Sequence, residues 1–398
     1  MVPEPLLQRR RRPVALMALA AVLIVAAGAV YLRPATANHP RTMPSSTVDP
    51  SLVTTNPVTY SFVTPSIGWA SLRVVGSSGP SEFEIFRTID GARHWQMQLS
   101  GQSNYGPGFE PLAVQFFGKA IGFMTVGEPI ERLYHSGDGG DHWDPLVLPA
   151  LQVDALKFSD ATHGWGVGYS GTRLPPGQAQ IYATSDAGQN WKPLPDPPAD
   201  GGIVSFRSPL EAWMGSVDPL LPHVYTSSDG GQSWRRHDLP HAVGSHPDDR
   251  YFETAIELLP GSGAIATAEA FRCMVAGPIG GPKPAPTPLC GNTTSEAFLF
   301  ASLDGTSWRQ LPSPPGFIVY QDSVHWWALS ANAVFKSSDA GRSWRQVAVI
   351  PANLQFSSIS ILDSKHAWAS LFVMGGYGLA LTNDGGLHWT LARVPATA

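Results

Sequence analysis

An eight-residue frame, Ser/Thr-x-Asp-x-Gly-x-x-Trp, recurs along this chain, and a device that recurs is architecture before it is chemistry. It reads TIDGARHW (88–95, with Gly91 and Ala92 exchanged), SGDGGDHW (136–143), TSDAGQNW (184–191), SSDGGQSW (227–234), SSDAGRSW (337–344) and TNDGGLHW (382–389). A seventh copy, SLDGTSW (302–308), is one residue short between Asp304 and Trp308. The aspartates Asp90, Asp138, Asp186, Asp229, Asp304, Asp339 and Asp384 stand at intervals of 48, 48, 43, 75, 35 and 45, a period near 45 with one insertion. A single copy, with hydroxyls, an acid and a glycine, has the look of a catalytic centre. Seven copies exclude that reading.

Each period reads as four short strands. In 151–195, LQVDALKF (151–158), WGVGYS (165–170), QIYAT (180–184) and NWKPLP (190–195) are separated by turn-forming residues, the pattern of an antiparallel meander. A second series runs in step with the frame: SIGWAS (66–71), AIGFMT (120–125), THGWGV (162–167), LEAWMG (210–215), HWWAL (325–329) and KHAWAS (365–370). The fifth unit has GSGAIAT (261–267) instead, without the aromatic. Together the two series absorb twelve of the thirteen tryptophans and leave Trp326 over, so packing accounts for the tryptophan without a sugar-stacking platform. In the frame itself, the aspartate carboxylate is expected to accept N–H groups of its own turn. Glycine permits the positive φ, and the Ser/Thr two positions earlier supports the loop.

Seven such copies resemble the Asp-box, or bacterial neuraminidase repeat, of β-propellers. The pairing with the D-x-x-x-G-W turn looks most like the photosystem II stability/assembly factor family. The resemblance covers about 50–398 and implies an all-β fold, a seven-bladed propeller of four-stranded antiparallel blades. It does not choose between enzyme and binder, since both carry the box. All seven units are complete in one phase, so the ring is expected to close by contact between first and last blades without an exchanged strand.

Ahead of the repeats, QRRRR (8–12) precedes VALMALAAVLIVAAGAVYL (14–32), 19 residues without a charge. As a helix this segment spans roughly 28 Å, close to a hydrocarbon core. Residues 1–13 then form a basic cytoplasmic end, 14–32 a transmembrane anchor and 33–51 a Pro/Ser/Thr linker, with the propeller of 52–398 outside the cytoplasm. The alternative is a signal peptide cleaved near Ala37 and a secreted domain. Cys273 and Cys290 flank a Gly/Pro-rich stretch inside an insertion at 272–295, where a disulfide would contribute about 3 kcal/mol in the chain-entropy view. Two cysteines without further ligands do not make a metal site, and the twelve histidines form no metal motif, so no metal and no cofactor is assigned. Residues 1–49 hold six of the 26 basic residues and two of the 31 acidic ones, which leaves the rest at 20 against 29, a net −9. That balance excludes a nucleic-acid-binding face.

Strand alternation puts the Asp boxes and the G-W turns on one face of the ring and the longer loops on the other. Irregular loops on a rigid scaffold are where function sits. The candidate ligand- or partner-binding residues are therefore Tyr105, Glu110, Glu128, Arg132, Arg173, Asp218, His246, Asp248 and Arg250. With no catalytic motif, the reading is a non-enzymatic, membrane-tethered scaffold for a membrane or extracytoplasmic protein. The alternative is a glycan-binding or glycan-hydrolysing propeller. Sialidase activity is disfavoured, because the first strand, NPVTYSFVTP (56–65), lacks the family's arginine.

Overall fold

A computed structural model describes residues 52–396, except 57, 75–81, 103–111, 128–129, 131, 151, 170–178, 248, 275–291, 331–332, 351–354 and 374–375. The segments 1–13, 14–32 and 33–51, Cys290 and the Cys273 side chain, and with them the expected disulfide, lie outside the described residues. No helix among the described residues is long and apolar enough to cross a membrane.

The chain folds as seven antiparallel sheets, six of four strands and one of five, each meander following the last as the seven-bladed reading expects. The first blade runs Val58–Phe62, Gly68–Val74, Glu82–Thr88 and Gln96–Gln102. The seventh runs Gln355–Ile361, Ala367–Val373, Gly376–Thr382 and Thr390–Ala392. Closure corrects one expectation. Val53–Thr54, just before blade one, pairs with the third strand of blade seven, Val53 opposite Gly378 and Thr54 opposite Tyr377. Thr390–Ala392 covers only Leu379–Leu381 of that strand, so the N-terminal residues complete the edge that the chain's last strand leaves open.

Blades are joined by stacked rings. Trp69 of blade one lies flat on Phe116 of blade two, with centroids 3.4 Å apart and planes 6° apart. Phe123 stacks on Phe158 at 3.5 Å, Trp165 on Phe206 at 4.0 Å and, across the closing seam, Trp368 on Phe62 at 3.6 Å. One ring of each pair comes from the G-W turn and the other from the end of the next blade's inner strand. That second series, Phe62, Phe116, Phe158 and Phe206, stands seven residues ahead of its own blade's aromatic. It also explains the glycine of G-W. Phe62 pairs with Gly68, Phe116 with Gly122 and Phe158 with Gly164, and a Cβ on any of these glycines would come within 2.2–2.6 Å of the phenyl ring.

The departure in blade five is compensated in blade six. Ile265 stands where the other blades have an aromatic, and Trp326, the tryptophan outside both series, stands where they have Gly or Ala. Trp326 is wholly buried, meets Tyr320 edge-on at 5.0 Å, and shares one apolar cluster with Ile265, Leu311 and Ala340.

Each Asp box is a closed hydrogen-bonded unit. In blade four, the Ser227 hydroxyl donates to Asp229 (2.7 Å) and accepts from Gly231 N–H (2.8 Å). Asp229 accepts the Ser233 N–H (2.9 Å) and the Ser233 hydroxyl (2.5 Å). The position before the tryptophan thus supplies a donor, and it is His, Asn or Ser in every copy. The residue after the aspartate has positive φ throughout; it is alanine in two copies, Ala187 and Ala340, and in the first copy Ala92, one position further on, is left-handed as well. In six blades the first N–H after the aspartate bonds a carbonyl of the G-W turn, as Gly230 does with Leu210 (2.8 Å), which confirms that the two turns share a face. The carboxylates of Asp160, Asp322 and Asp363 cap those turns, each taking the ring nitrogen of the histidine three residues on.

Two outcomes follow. Phe62→Ala, at the closing seam, should lower stability by about 3–5 kcal/mol in equilibrium denaturation. The exposed control Val147→Ala, just past the outer strand of blade two, should move it by less than about 0.5 kcal/mol. The second concerns acid. The Ser233 hydroxyl and N–H pull Asp229 down to about 2, Ser343 does the same for Asp339, and the His142 N–H and ring do so for Asp138. A carboxyl whose pKa is depressed on folding stabilises above its unfolded value, about 3.9, and loses that contribution as pH falls through the folded one. Melting temperature should therefore fall most steeply between about pH 4 and pH 2, with a shallower slope in Asp229→Asn.

Candidate functional site

The loop face of blade four gathers a polar group from the open ends of three strands. Gly201–Phe206 and Ala212–Ser216 pair with Gly201 opposite Ser216, so Asp200 and Val217 stand one step further out, with Val217 N–H bonded to Asp200 C=O at 2.9 Å. Asp218 follows in the next loop, and His223 opens the third strand, His223–Ser227, beside Ser216. Register alone thus brings together Asp200, Asp218 and His223, whose ligand atoms all lie within 4.8 Å of one another.

Each member is oriented from behind. The Tyr225 hydroxyl donates to Asp200 at 2.7 Å, and Asp218 accepts the N–H groups of Leu220 (2.8 Å) and Leu221 (3.2 Å). His223 is wholly buried, and its Nδ1 lies 2.7 Å from the Leu221 carbonyl, so Nδ1 carries the proton. Its Nε2 lies 3.1 Å from an Asp200 oxygen without forming a hydrogen bond, which places that oxygen off the ring N–H axis. Arg236 stays 4.0 Å from Asp200 and pairs with Asp238 at 2.7 Å. Partial burial raises the Asp200 pKa, but the Tyr225 hydroxyl and the charge of Arg236 work against it, and the carboxyl is held below its usual value.

Of the residues expected to act, Asp218 joins this group. His246 and Arg250 are exposed and gather round Asp249: the His246 N–H donates to its carboxylate (2.7 Å) and the Arg250 guanidinium to its carbonyl (2.9 Å). Asp249 is buried and paired with Arg272 at 2.7 Å. Arg132 opens the third strand of blade two, half-buried. Tyr105, Glu110, Glu128, Arg173 and Asp248 lie outside the described residues. Sequence reasoning missed Asp200, His223 and Tyr225, which follow no motif. The signal that reaches them is strand register: the residues flanking the B–C hairpin ends of one blade.

Polar groups gather at two other places. A groove of about 770 Å³ over the closing seam is lined by Asp90, Arg93, His366, Trp368 and Asn383, but Asp90 and His366 are already bonded within their own turns. On the inner strands, burial pushes the Glu257 carboxyl up, against the charge of Lys157 from blade three and a hydrogen bond with Tyr320 of blade six. Those three residues come from the first strands of three different blades.

No protein-family model matches this chain, and no curated protein matches it in sequence. Among solved structures, one described as "YCF48 bound to D1 peptide" superposes with a TM-score of 0.52 at 19% identity, covering 84% of this chain and 95% of that one. A structure of prolyl endopeptidases gives 0.52 at 12%, covering 87% and 51%. The GH74 xyloglucanase from Xanthomonas campestris gives 0.42 at 11%, covering 82% and 59%. The chain is an Asp-box β-propeller. Its fold is that of the assembly-factor type to which the repeats point, and propellers that belong to enzymes share it.

The site's position depends on Gly215, where a Cβ would fall 1.5 Å from the Thr254 carbonyl of blade five. Gly215→Ala should force the two blades apart and destabilise the chain by about 1–3 kcal/mol, read as a lowered denaturation midpoint.

Proposed function

We propose that this chain is a non-enzymatic scaffold that docks a polypeptide segment of a membrane or extracytoplasmic partner on the loop face of blades four and five. The observation that carries the reading is a set of exposed apolar side chains there. Leu220, Leu221, Val243 and Phe252 are 59%, 60%, 83% and 56% exposed. Apolar groups gathered on a rigid surface with a polar rim mark protein-binding sites. Rigidity comes from ties between the loops: Tyr251 N–H donates to Pro219 C=O (3.0 Å), and Val243 N–H to the Gln310 side chain (2.6 Å). His246, Arg250 and the Arg272–Asp249 pair supply the rim. The likeness in fold to a protein described as bound to a peptide supports the same use of the scaffold.

The uncharged stretch 14–32 behind four arginines supports a membrane tether, with the linker 33–51 giving the propeller reach outside the cytoplasm. Secretion after cleavage near Ala37 is the alternative form. Glycan binding or hydrolysis is the alternative reading, with no arrangement of carboxylates on the described loop face that favours it.

The test is capture of partners by the full-length protein, cross-linked in native membranes and identified by mass spectrometry. One near-stoichiometric protein is expected, and recovery should drop about tenfold or more in the double variant Leu220→Asp, Val243→Asp at unchanged melting temperature. Undiminished capture by that variant would sink the assignment of this face.

A further inference from the structure

We infer that Asp200, Asp218 and His223 form a binding site for a divalent transition-metal ion on the loop face of blade four. Two carboxylates alone would say little. The independent observation is His223, a wholly buried imidazole aimed into the pair with its Nε2 lacking a hydrogen bond. A buried polar nitrogen left unpaired is costly, and native interiors satisfy such groups.

The tautomer follows from the neighbours. Nδ1 lies 2.7 Å from the Leu221 carbonyl and donates to it, so in the neutral ring the Nε2 lone pair points outward. It then stands 3.1 Å from an Asp200 oxygen, lone pair against lone pair. A positive centre between them removes the conflict. For a metal bound at about 2.1 Å to both, a ligand–ligand distance near 3.1 Å corresponds to an angle of about 95° at the ion. A donor oxygen at that angle lies off the ring N–H axis, as observed here. An imidazolium would instead draw the carboxylate onto that axis.

The surroundings have the form of an outer shell. A ligating histidine holds its second nitrogen on a carbonyl, and ligating carboxylates are themselves hydrogen-bonded. Here Leu221 C=O takes Nδ1, Tyr225 holds Asp200, and the Leu220 and Leu221 N–H groups hold Asp218. Two carboxylates balance a divalent charge. One imidazole with two carboxylates favours zinc, manganese, cobalt or iron(II) over calcium or magnesium, which take all-oxygen shells. Both aspartates remain partly open to solvent, so further positions are left for water or for a donor from a docked partner.

The experiment uses the untagged full chain in detergent, stripped with chelator and titrated with Co²⁺ and Zn²⁺. The expected result is about one equivalent bound, with cobalt ligand-field absorption and a rise in melting temperature. Asp218→Asn should weaken binding at least about tenfold, and Tyr225→Phe by about 10–100-fold, through the ligand it orients. His223→Gln should abolish it. Because His223 is buried and that variant can misfold, Asp218→Asn carries the decision. No binding above that of a denatured control overturns the inference. So does binding unchanged in Asp218→Asn and Tyr225→Phe, which would assign the ion to the exposed histidines of the Asp-box face.

Discussion

The ring stands on a stack of aromatic faces. At four seams an indole or phenyl from one blade lies flat on a phenyl from the next, and the closing seam uses the same joint as the internal ones. Each stacked pair contributes about 0.5–1.5 kcal/mol beyond its buried area. More to the point, a flat contact admits one separation and one tilt, so these four joints constrain the spacing of the blades they link. The Asp boxes complement this on the same face, by locking each turn to its neighbour through hydrogen bonds internal to the blade.

Most of this architecture was legible in the sequence. The seven frames and the G-W series located all seven blades, because turns and buried aromatics are local and repeat in phase. The phenylalanine series was equally local, seven residues ahead of each aromatic, but without the partner ring in view it passed for ordinary strand residues. Closure was not legible. Val53 and Thr54 carry no mark that distinguishes a strand belonging to a distant blade from a linker. Trp326 shows the same limit, since its position makes sense only against the missing aromatic of blade five.

The loop-face group was the least legible, for a physical reason. Asp200, Asp218 and His223 are neighbours because of pairing register across a hairpin, and register is set by the hydrophobic pattern of the strands. Asp218 was identified as a loop acid, while Asp200 in DPPADGG (196–202) and His223 at the end of the loop VDPLLPH (217–223) belong to no motif. Apolar exposure around them comes from the same geometry. Leu220, Leu221 and Val243 sit on short loops tied at both ends and cannot fold back onto the core.

The exchanged strand at Val53–Thr54 also has a consequence for the order of folding. The residues that finish blade seven are among the first of the propeller to be synthesised, and their partner strand, Gly376–Thr382, is among the last. Until that strand exists, blade seven has no finished edge, and Trp368, on the strand just before it, is itself made only near the end of the chain. Loop closure over nearly the whole propeller is therefore the final event, and it is slow for a topology of such long-range contacts. During that interval the chain presents an open strand edge and an uncovered aromatic at opposite ends of an incomplete ring. That intermediate is the one most exposed to pairing with a second copy of itself.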